Sequence, residues 1–278
     1  MGAIINGKKI SEDIKSDIRV FINGLKEEKK SLPKIASILV GEDGGSIYYQ
    51  NFQEKMANDL GVKFEKIRLS NDIDKRELKI LIEELNVNEE VNGIILLLPL
   101  PKHINESEIT NLINPSKDID CLSERTVGRF YKGEKSYKPC TPYSVITLLK
   151  SYNIDLEGAN VAIIGRSNIV GKPLVQMFLN ENATVTICHS RTKNLKTVTK
   201  GADIVIAAIG KPNFVDSSFI SENAIVIDVG TTKFEGKITG DVNFDEVKDK
   251  ASLITPVPGG VGALTTTLLF KNLCEGMK

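Results

Sequence analysis

Histidine and cysteine are scarce in this 278-residue chain, which has two histidines, four cysteines and no tryptophan. Cys121, Cys140, Cys188 and Cys274 are scattered with no Cys-x-x-Cys pair, and only His103 and His189 stand to complement them. That spacing argues against a zinc site and against a disulfide framework, so no metal is expected and the thiols read as structural or incidental. An excess of one charge is also missing, because Lys+Arg and Asp+Glu are equal at 36 each. Nothing in the net charge draws the molecule to nucleic acid or to a membrane surface. No uncharged apolar stretch reaches the length needed to cross a bilayer, and the N-terminus lacks the cationic start and apolar core of a secretory signal. A cytoplasmic protein is expected. There is no Gly-x-Ser-x-Gly elbow, no His-Glu-x-x-His helix and no Walker loop ending in Gly-Lys-Ser or Gly-Lys-Thr. The serine hydrolase, zincin and P-loop classes therefore fall away.

What is present is an alternation of apolar runs with amphipathic stretches. Residues 10–25 place Ile10, Ile14, Ile18, Phe21, Ile22 and Leu25 at helical spacing. Runs at 35–40, 62–69 and 93–98 read as strands. Between them a helix is predicted from Ser46, taken as its cap, to Leu60 and a stop at Gly61, and another over 74–85. The polar, glycine-broken stretch 121–139 reads as a loop or small ribbon, and a helix over 143–152 follows. A second series has strands at 161–164, 183–188, 203–207, 224–229 and 252–254, with helices from 173, near 194–200 and from Leu264 to the end. Alternation at this spacing predicts an α/β protein with parallel sheets and ligand loops at the carboxyl ends of the strands. The domain change is expected near 139–143.

The stretch 161–173, Val-Ala-Ile-Ile-Gly-Arg-Ser-Asn-Ile-Val-Gly-Lys-Pro, reads as strand, phosphate turn and helix start. Gly165 permits the sharp turn, Pro173 suits the first helical turn, and the amides of such a helix start bind anions. The next strand ends in His189-Ser190-Arg191, where an acid would accept the ribose hydroxyls of NAD. Arg166, Arg191 and the two serines Ser167 and Ser190 instead suit the 2′-phosphate of NADP. The same arginines also fit a solvated loop. Pro256-Val257-Pro258-Gly259-Gly260-Val261-Gly262 fits either close approach to a flat ligand or an ordinary tight turn before a helix. A nicotinamide-type domain joined to a separate α/β domain points to a dehydrogenase with its site between the two.

Together these segments resemble the methylenetetrahydrofolate dehydrogenase/cyclohydrolase family. The cofactor turn Gly165-Arg166-Ser167-Asn168-Ile169-Val170-Gly171-Lys172-Pro173 matches, as do Pro139-Cys140-Thr141-Pro142, Cys188-His189-Ser190-Arg191-Thr192, Val226-Ile227-Asp228-Val229-Gly230, Gly240-Asp241-Val242 and the 256–262 turn, in the family's order. The resemblance implies a folate-binding catalytic domain over 1–140, completed by a returning C-terminal helix at 263–278, and a Rossmann-type NADP domain over 141–262. It implies a homodimer and tetrahydrofolate substrates held in the cleft. It makes Tyr49 the residue that stacks on folate and Asp120 the acid that grips the pterin's amino edge, a task suited to a carboxylate because it accepts two parallel hydrogen bonds. Leu98, Pro258, Gly259 and Gly260 fall at folate positions. Thr141, Gly165, Arg166, Ser167, Ile169, Ser190, Arg191 and Thr231 fall at cofactor positions, Thr231 where an isoleucine is more usual. His189 is expected to make a structural hydrogen bond.

Two departures concern chemistry. The family's catalytic lysine stands four residues after the tyrosine, and here that residue is Gln53. Its partner glutamine opens a Gln-Leu-Pro-Leu-Pro turn that here reads Leu97-Leu98-Pro99-Leu100-Pro101. Hydride transfer needs positioning and no proton-moving side chain, whereas water attack on the methenyl bridge needs a titratable group. An NADP-dependent dehydrogenase with absent or severely weakened cyclohydrolase activity is therefore expected. Lys55 is the possible substitute, although an offset of two residues puts it on another helix face. Competing readings are the full bifunctional enzyme, another NADP-linked dehydrogenase on the same plan, and a catalytically silent folate- or NADP-binding protein. Cys121 in place of a glycine and Ala263 in place of a proline are milder departures.

Overall fold

The structure, a computed structural model, describes residues 2–277. In chain order its elements are β1 (Ala3–Ile4), α1 (Gly7–Glu27), β2 (Lys34–Val40), α2 (Gly44–Leu60), β3 (Lys63–Leu69), α3 (Lys75–Val87), β4 (Gly93–Leu96), α4 (Glu106–Thr110) and α5 (Glu124–Tyr131). Then come α6 (Cys140–Ser151), β5 (Asn160–Ile164), α7 (Gly171–Asn180), β6 (Thr184–Cys188), α8 (Leu195–Lys200), β7 (Ile204–Ala207) and β8 (Ile225–Asp228). The chain ends with β9 (Thr232–Phe234), β10 (Lys237–Thr239), α9 (Phe244–Val247), β11 (Leu253–Ile254) and α10 (Gly262–Gly276). They form two compact units. One comprises Pro139–Thr266 with the N-terminal residues up to Glu12, and the other Asp13–Lys138 with the chain from Thr267 onward.

The smaller sheet has the order β3-β2-β4, all parallel. Its middle strand β2 is the most aliphatic, and Ile35, Ala36, Ile38, Leu39 and Val40 are buried between the covering helices. Leu78, Ile82 and Leu85 of α3 and Ile94 and Leu96 of β4 close the same core. Each such side chain contributes about 1.5–3 kcal/mol when fully withdrawn from water. The larger sheet has the order β1-β11-β8-β7-β5-β6 and is also wholly parallel. The chain leaves β5 to β6 on one side and returns to β7 on the other. That reversal opens a crevice at the carboxyl ends of β5 and β7.

Several boundaries differ from the sequence expectations. The cap of α2 is Asp43, which accepts the Ser46 amide at 2.8 Å, so Ser46 lies inside the first turn. Asp43 stands three residues before that amide, the distance at which a cap's side-chain oxygen reaches the first turn. The same backbone bond, and then the Ser46 hydroxyl, hold the Asp43 carboxyl below its usual range. The stretch 121–139 contains α5, capped by Ser123. The strand expected over 93–98 ends at Leu96, and α6 begins at Cys140 rather than at 143. Helix α7 begins at Gly171, ahead of the expected 173. The first residues belong to the unit of the larger sheet. Gly2, Ala3 and Ile5 donate to Lys248, Ser252 and Ile254, which adds β1 to the edge of the larger sheet beside β11. The hairpin β9–β10 was not anticipated, because its strands are three residues each and mostly exposed.

Candidate functional site

Residues of the expected cofactor set gather at the crevice in the larger sheet. Gly165 follows β5 with φ +128, and a Cβ there would stand 2.1 Å from the Ala208 carbonyl oxygen. Only glycine tolerates both the left-handed backbone and that approach. A cavity of about 330 Å³ opens beside it, lined by Gly165, Arg166, Ser167 and Ser190 together with Lys211 and Phe214. Ser167 Oγ accepts the amides of Val170 at 3.1 Å and Gly171 at 3.4 Å, so its hydroxyl fastens the start of α7 and retains its own proton to donate. Arg166 and Ser190 are exposed at the rim. Tight glycine turn, helix start and nearby cations form a cradle for a phosphate-bearing ligand.

The other expected cofactor residues do not line this cavity. Ile169 is 60% exposed on the turn. Arg191 is exposed one residue beyond Ser190, Thr141 is half-buried at the start of α6, and Thr231 lies after β8 with its methyl 3.8 Å from where a Cβ of Gly262 would stand. His189 Nδ1 accepts the Arg191 amide at 3.1 Å, which is the expected structural bond and leaves the ring proton on Nε2 when the imidazole is neutral. Lys211 and Phe214 line the cavity but were missed. Their signal was Gly210-Lys211-Pro212 directly after an apolar strand, the same strand-then-glycine grammar as at Gly165. In this unit the 256–262 turn is clasped by the start of α1, where Gly7 donates to the Gly259 carbonyl at 3.0 Å. Pro258 is exposed on that turn and Gly260 is buried beneath it.

The expected folate residues of the other unit stand at the carboxyl ends of β2 and β4. Tyr49 and Gln53 lie one turn apart on α2, Tyr49 half-buried and Gln53 completely buried. Gln53 Oε1 accepts from Ser37 Oγ at 3.4 Å, and its Nε2 has no hydrogen-bond partner among the described residues. Gln50 braces the same strand, donating to the Ser37 carbonyl at 2.9 Å and accepting from Arg68 Nε at 3.0 Å. Leu97, 5% exposed, follows β4 and donates its amide to Ile38 at 2.9 Å, while the half-buried Leu98 presents its carbonyl to Ser46 Oγ at 3.5 Å. Lys55 is exposed, on a different side of α2 from Gln53.

Asp120 is half-buried in a loop held from three directions. Asp118, buried beneath it, accepts the amides of Leu122 at 3.0 Å and Ser123 at 2.8 Å. Ile94 donates to the Lys117 carbonyl at 2.7 Å, and Asn272 of α10 donates to the Ile119 carbonyl at 2.8 Å. Cys121 adopts φ +57, the left-handed conformation natural to the glycine expected there. Burial first, and then the Asp118 and Asp120 carboxylates, push its thiol far above the usual range, so it stays protonated. Among the described residues no cluster of metal-ligating side chains occurs, and no helix is long and apolar enough to cross a membrane.

A parallel sheet with a glycine turn and a cation-rimmed cavity at its switch point defines a dinucleotide-binding α/β protein, here joined to a second α/β unit that carries its own acid and aromatic. Residues 5–120 match the model of the tetrahydrofolate dehydrogenase/cyclohydrolase catalytic domain, and residues 139–278 match that of the same family's NAD(P)-binding domain. The chain belongs to the tetrahydrofolate dehydrogenase/cyclohydrolase family. Bifunctional protein FolD of Clostridium perfringens (strain 13 / Type A) is 68% identical over 275 residues, 99% of either chain. The crystal structure of bifunctional FolD from Campylobacter jejuni is 41% identical with a TM-score of 0.96, covering 99% of this chain and 98% of its own. FolD of Trypanosoma brucei, solved with NADP cofactor and inhibitor, is 33% identical with a TM-score of 0.92, covering 98% of this chain and 96% of its own.

Proposed function

We propose that the protein is an NADP-dependent 5,10-methylenetetrahydrofolate dehydrogenase whose methenyltetrahydrofolate cyclohydrolase activity is absent or severely weakened. The observation that carries the second half is Gln53: a neutral carboxamide, 0% exposed, where the family resemblance puts a lysine. Leu97, equally neutral and 5% exposed, stands where that lysine's partner belongs. NADP, when bound, takes up the hydride released by the methylene carbon of the substrate. The cavity's glycine turn fits that cofactor, with Gly165 and Ser167 at its diphosphate and Arg166, Ser190 and Arg191 at its 2′-phosphate. Thr141, Ile169 and Thr231 complete the cofactor set in this reading.

On the folate side, Tyr49 offers a ring face to the substrate and Asp120 two acceptor oxygens to its amino edge, with Leu97 and Leu98 supplying apolar surface; the resemblance adds Pro258, Gly259 and Gly260 to the substrate set. Hydride release leaves no proton to move, so these binding groups suffice. Hydrolysis of the resulting methenyl bridge is different, because water must lose a proton as it attacks and a ring nitrogen must gain one. Neither glutamine nor leucine titrates. A paired assay on the pure protein, following NADP reduction with methylenetetrahydrofolate and then methenyl hydrolysis, tests both halves. The expected result is robust reduction with hydrolysis at least about tenfold slower. Hydrolysis keeping pace with reduction would overturn the reading of Gln53, and absence of NADP reduction would overturn the dehydrogenase.

The C. perfringens relative, a bifunctional protein by name, favours a second reading, the full bifunctional enzyme. In that case Lys55→Ala abolishes hydrolysis and leaves reduction unchanged. The exposure of Lys55 away from Gln53 speaks against it. A homodimer is part of the same proposal and is tested by light scattering on the purified protein.

A further inference from the structure

Asp228 and Asp241 take no part in the chemistry proposed above, yet both carboxylates are buried, at 3% and 0% exposure. Each is held by backbone amides. Asp241 accepts three consecutive ones, from Ile209 at 2.6 Å, Gly210 at 3.0 Å and Lys211 at 2.6 Å. Asp228, the last residue of β8, accepts the amides of Gly230, Asp241 and Val242, each at 2.9 Å. The two acids thus act in series, Asp228 fixing the backbone of Asp241 and Asp241 fixing the loop after β7. Glycines make room for both. A Cβ at Gly230 would lie 2.5 Å from the Asp241 carboxyl carbon, and one at Gly240 only 1.9 Å from an Asp228 oxygen. Thr255 Oγ1 accepts the Asp228 amide at 2.7 Å and ties the end of β8 to the end of β11.

The loop so held is one wall of the nucleotide cavity, because Ala208, Ile209 and Lys211 line it. An ionised acceptor gathering three successive amides fixes the direction of every peptide in that wall. We infer that Asp241 is a positioning residue for the dinucleotide, its carboxylate setting the Ile209–Lys211 wall of the cavity while Asp228 sets Asp241. The inference rests on the NADP reading of that cavity. The arrangement fixes the backbone from which Lys211 joins Arg166 in the cavity lining, through an acid that is not itself part of that lining.

Two measurements test it. In Asp241→Asn an amide N–H₂ faces a backbone donor in place of an acceptor. NADP Kd and KM are expected to rise about tenfold, with kcat and the folate KM nearly unchanged, and the 209–211 amides to exchange hydrogen at least about tenfold faster without cofactor. Faster exchange with unchanged NADP affinity would make Asp241 merely structural and overturn the inference. Should that variant fail to fold, the wild-type protein decides. Its 209–211 amides are expected to be as protected as those of β7 before NADP is added. Open-loop exchange that slows only on NADP addition would overturn the inference. A wild-type protein that binds no NADP refutes the cofactor reading itself, an outcome distinct from either of these.

Discussion

At the scale of single residues, the site turns on what burial does to Gln53. Counting from Ser46 and Tyr49 locates the departure in the sequence, but its surroundings were not legible there, since Ser37 meets it only once α2 lies on β2. An unpaired buried Nε2 is a standing cost of about 1–3 kcal/mol. Replacing Gln53 by lysine alone puts an ammonium into the same buried position with no acid to pair it, and a loss of about 3 kcal/mol in stability is expected from urea denaturation. Desolvation would also lower that ammonium's pKa, which is the property a proton-moving lysine needs. The double variant Gln53→Lys with Leu97→Gln supplies a hydrogen-bond partner, so it is expected to recover part of the stability and to raise methenyl hydrolysis above wild type. No gain in hydrolysis would show that the site differs from a hydrolytic one at more than these two positions. The Asp241 carboxylate is the opposite case. Its partners are backbone amides some thirty residues upstream, which no side chain announces, so only folding brings them together.

At the scale of elements, long aliphatic runs were legible and short polar pieces were not. β2, β5, β7 and β8 are read correctly because isoleucine and valine dominate them and both faces are covered. Helix α5 escaped because it is only eight residues long and buries no more than Thr126 and Phe130, and β1 because two residues carry no period. The 117–123 loop shows how an irregular element is made rigid. Its order comes from one buried acid, since Asp118 satisfies the amides of Leu122 and Ser123 on the far side of Asp120. Asp118→Ala removes both acceptors and leaves two amides without partners, for an expected loss of about 2 kcal/mol. If the loop's purpose is to present Asp120, the folate KM should rise severalfold while the NADP KM stays put. Equal changes in both would mean that the whole molecule had loosened.

At the scale of the whole molecule, each unit concentrates its buried charge where a ligand loop begins, and Asp228 sets the consequence for stability. Burial is the largest influence on its carboxyl and raises it; the amides of Val242, Asp241 and Gly230 pull the other way, and the net result is a pKa pushed up to about 6 from 3.8. Because the folded-state value lies above the unfolded one, the folded protein binds more protons between about pH 4 and pH 6. Stability linked to this group is therefore greatest below that window and is lost as pH rises through it, a change of about 3 kcal/mol. Above the window the group is ionised and costs the fold a constant amount, a burden consistent with an acid kept for positioning rather than for stability. Asp228→Asn cannot titrate at this position, so the stability of wild type relative to the variant should fall from pH 4 to 6 and then level off. Urea denaturation at half-unit pH intervals measures it. Parallel profiles for the two proteins would place the Asp228 pKa at its ordinary value and leave the carboxylate without that burden.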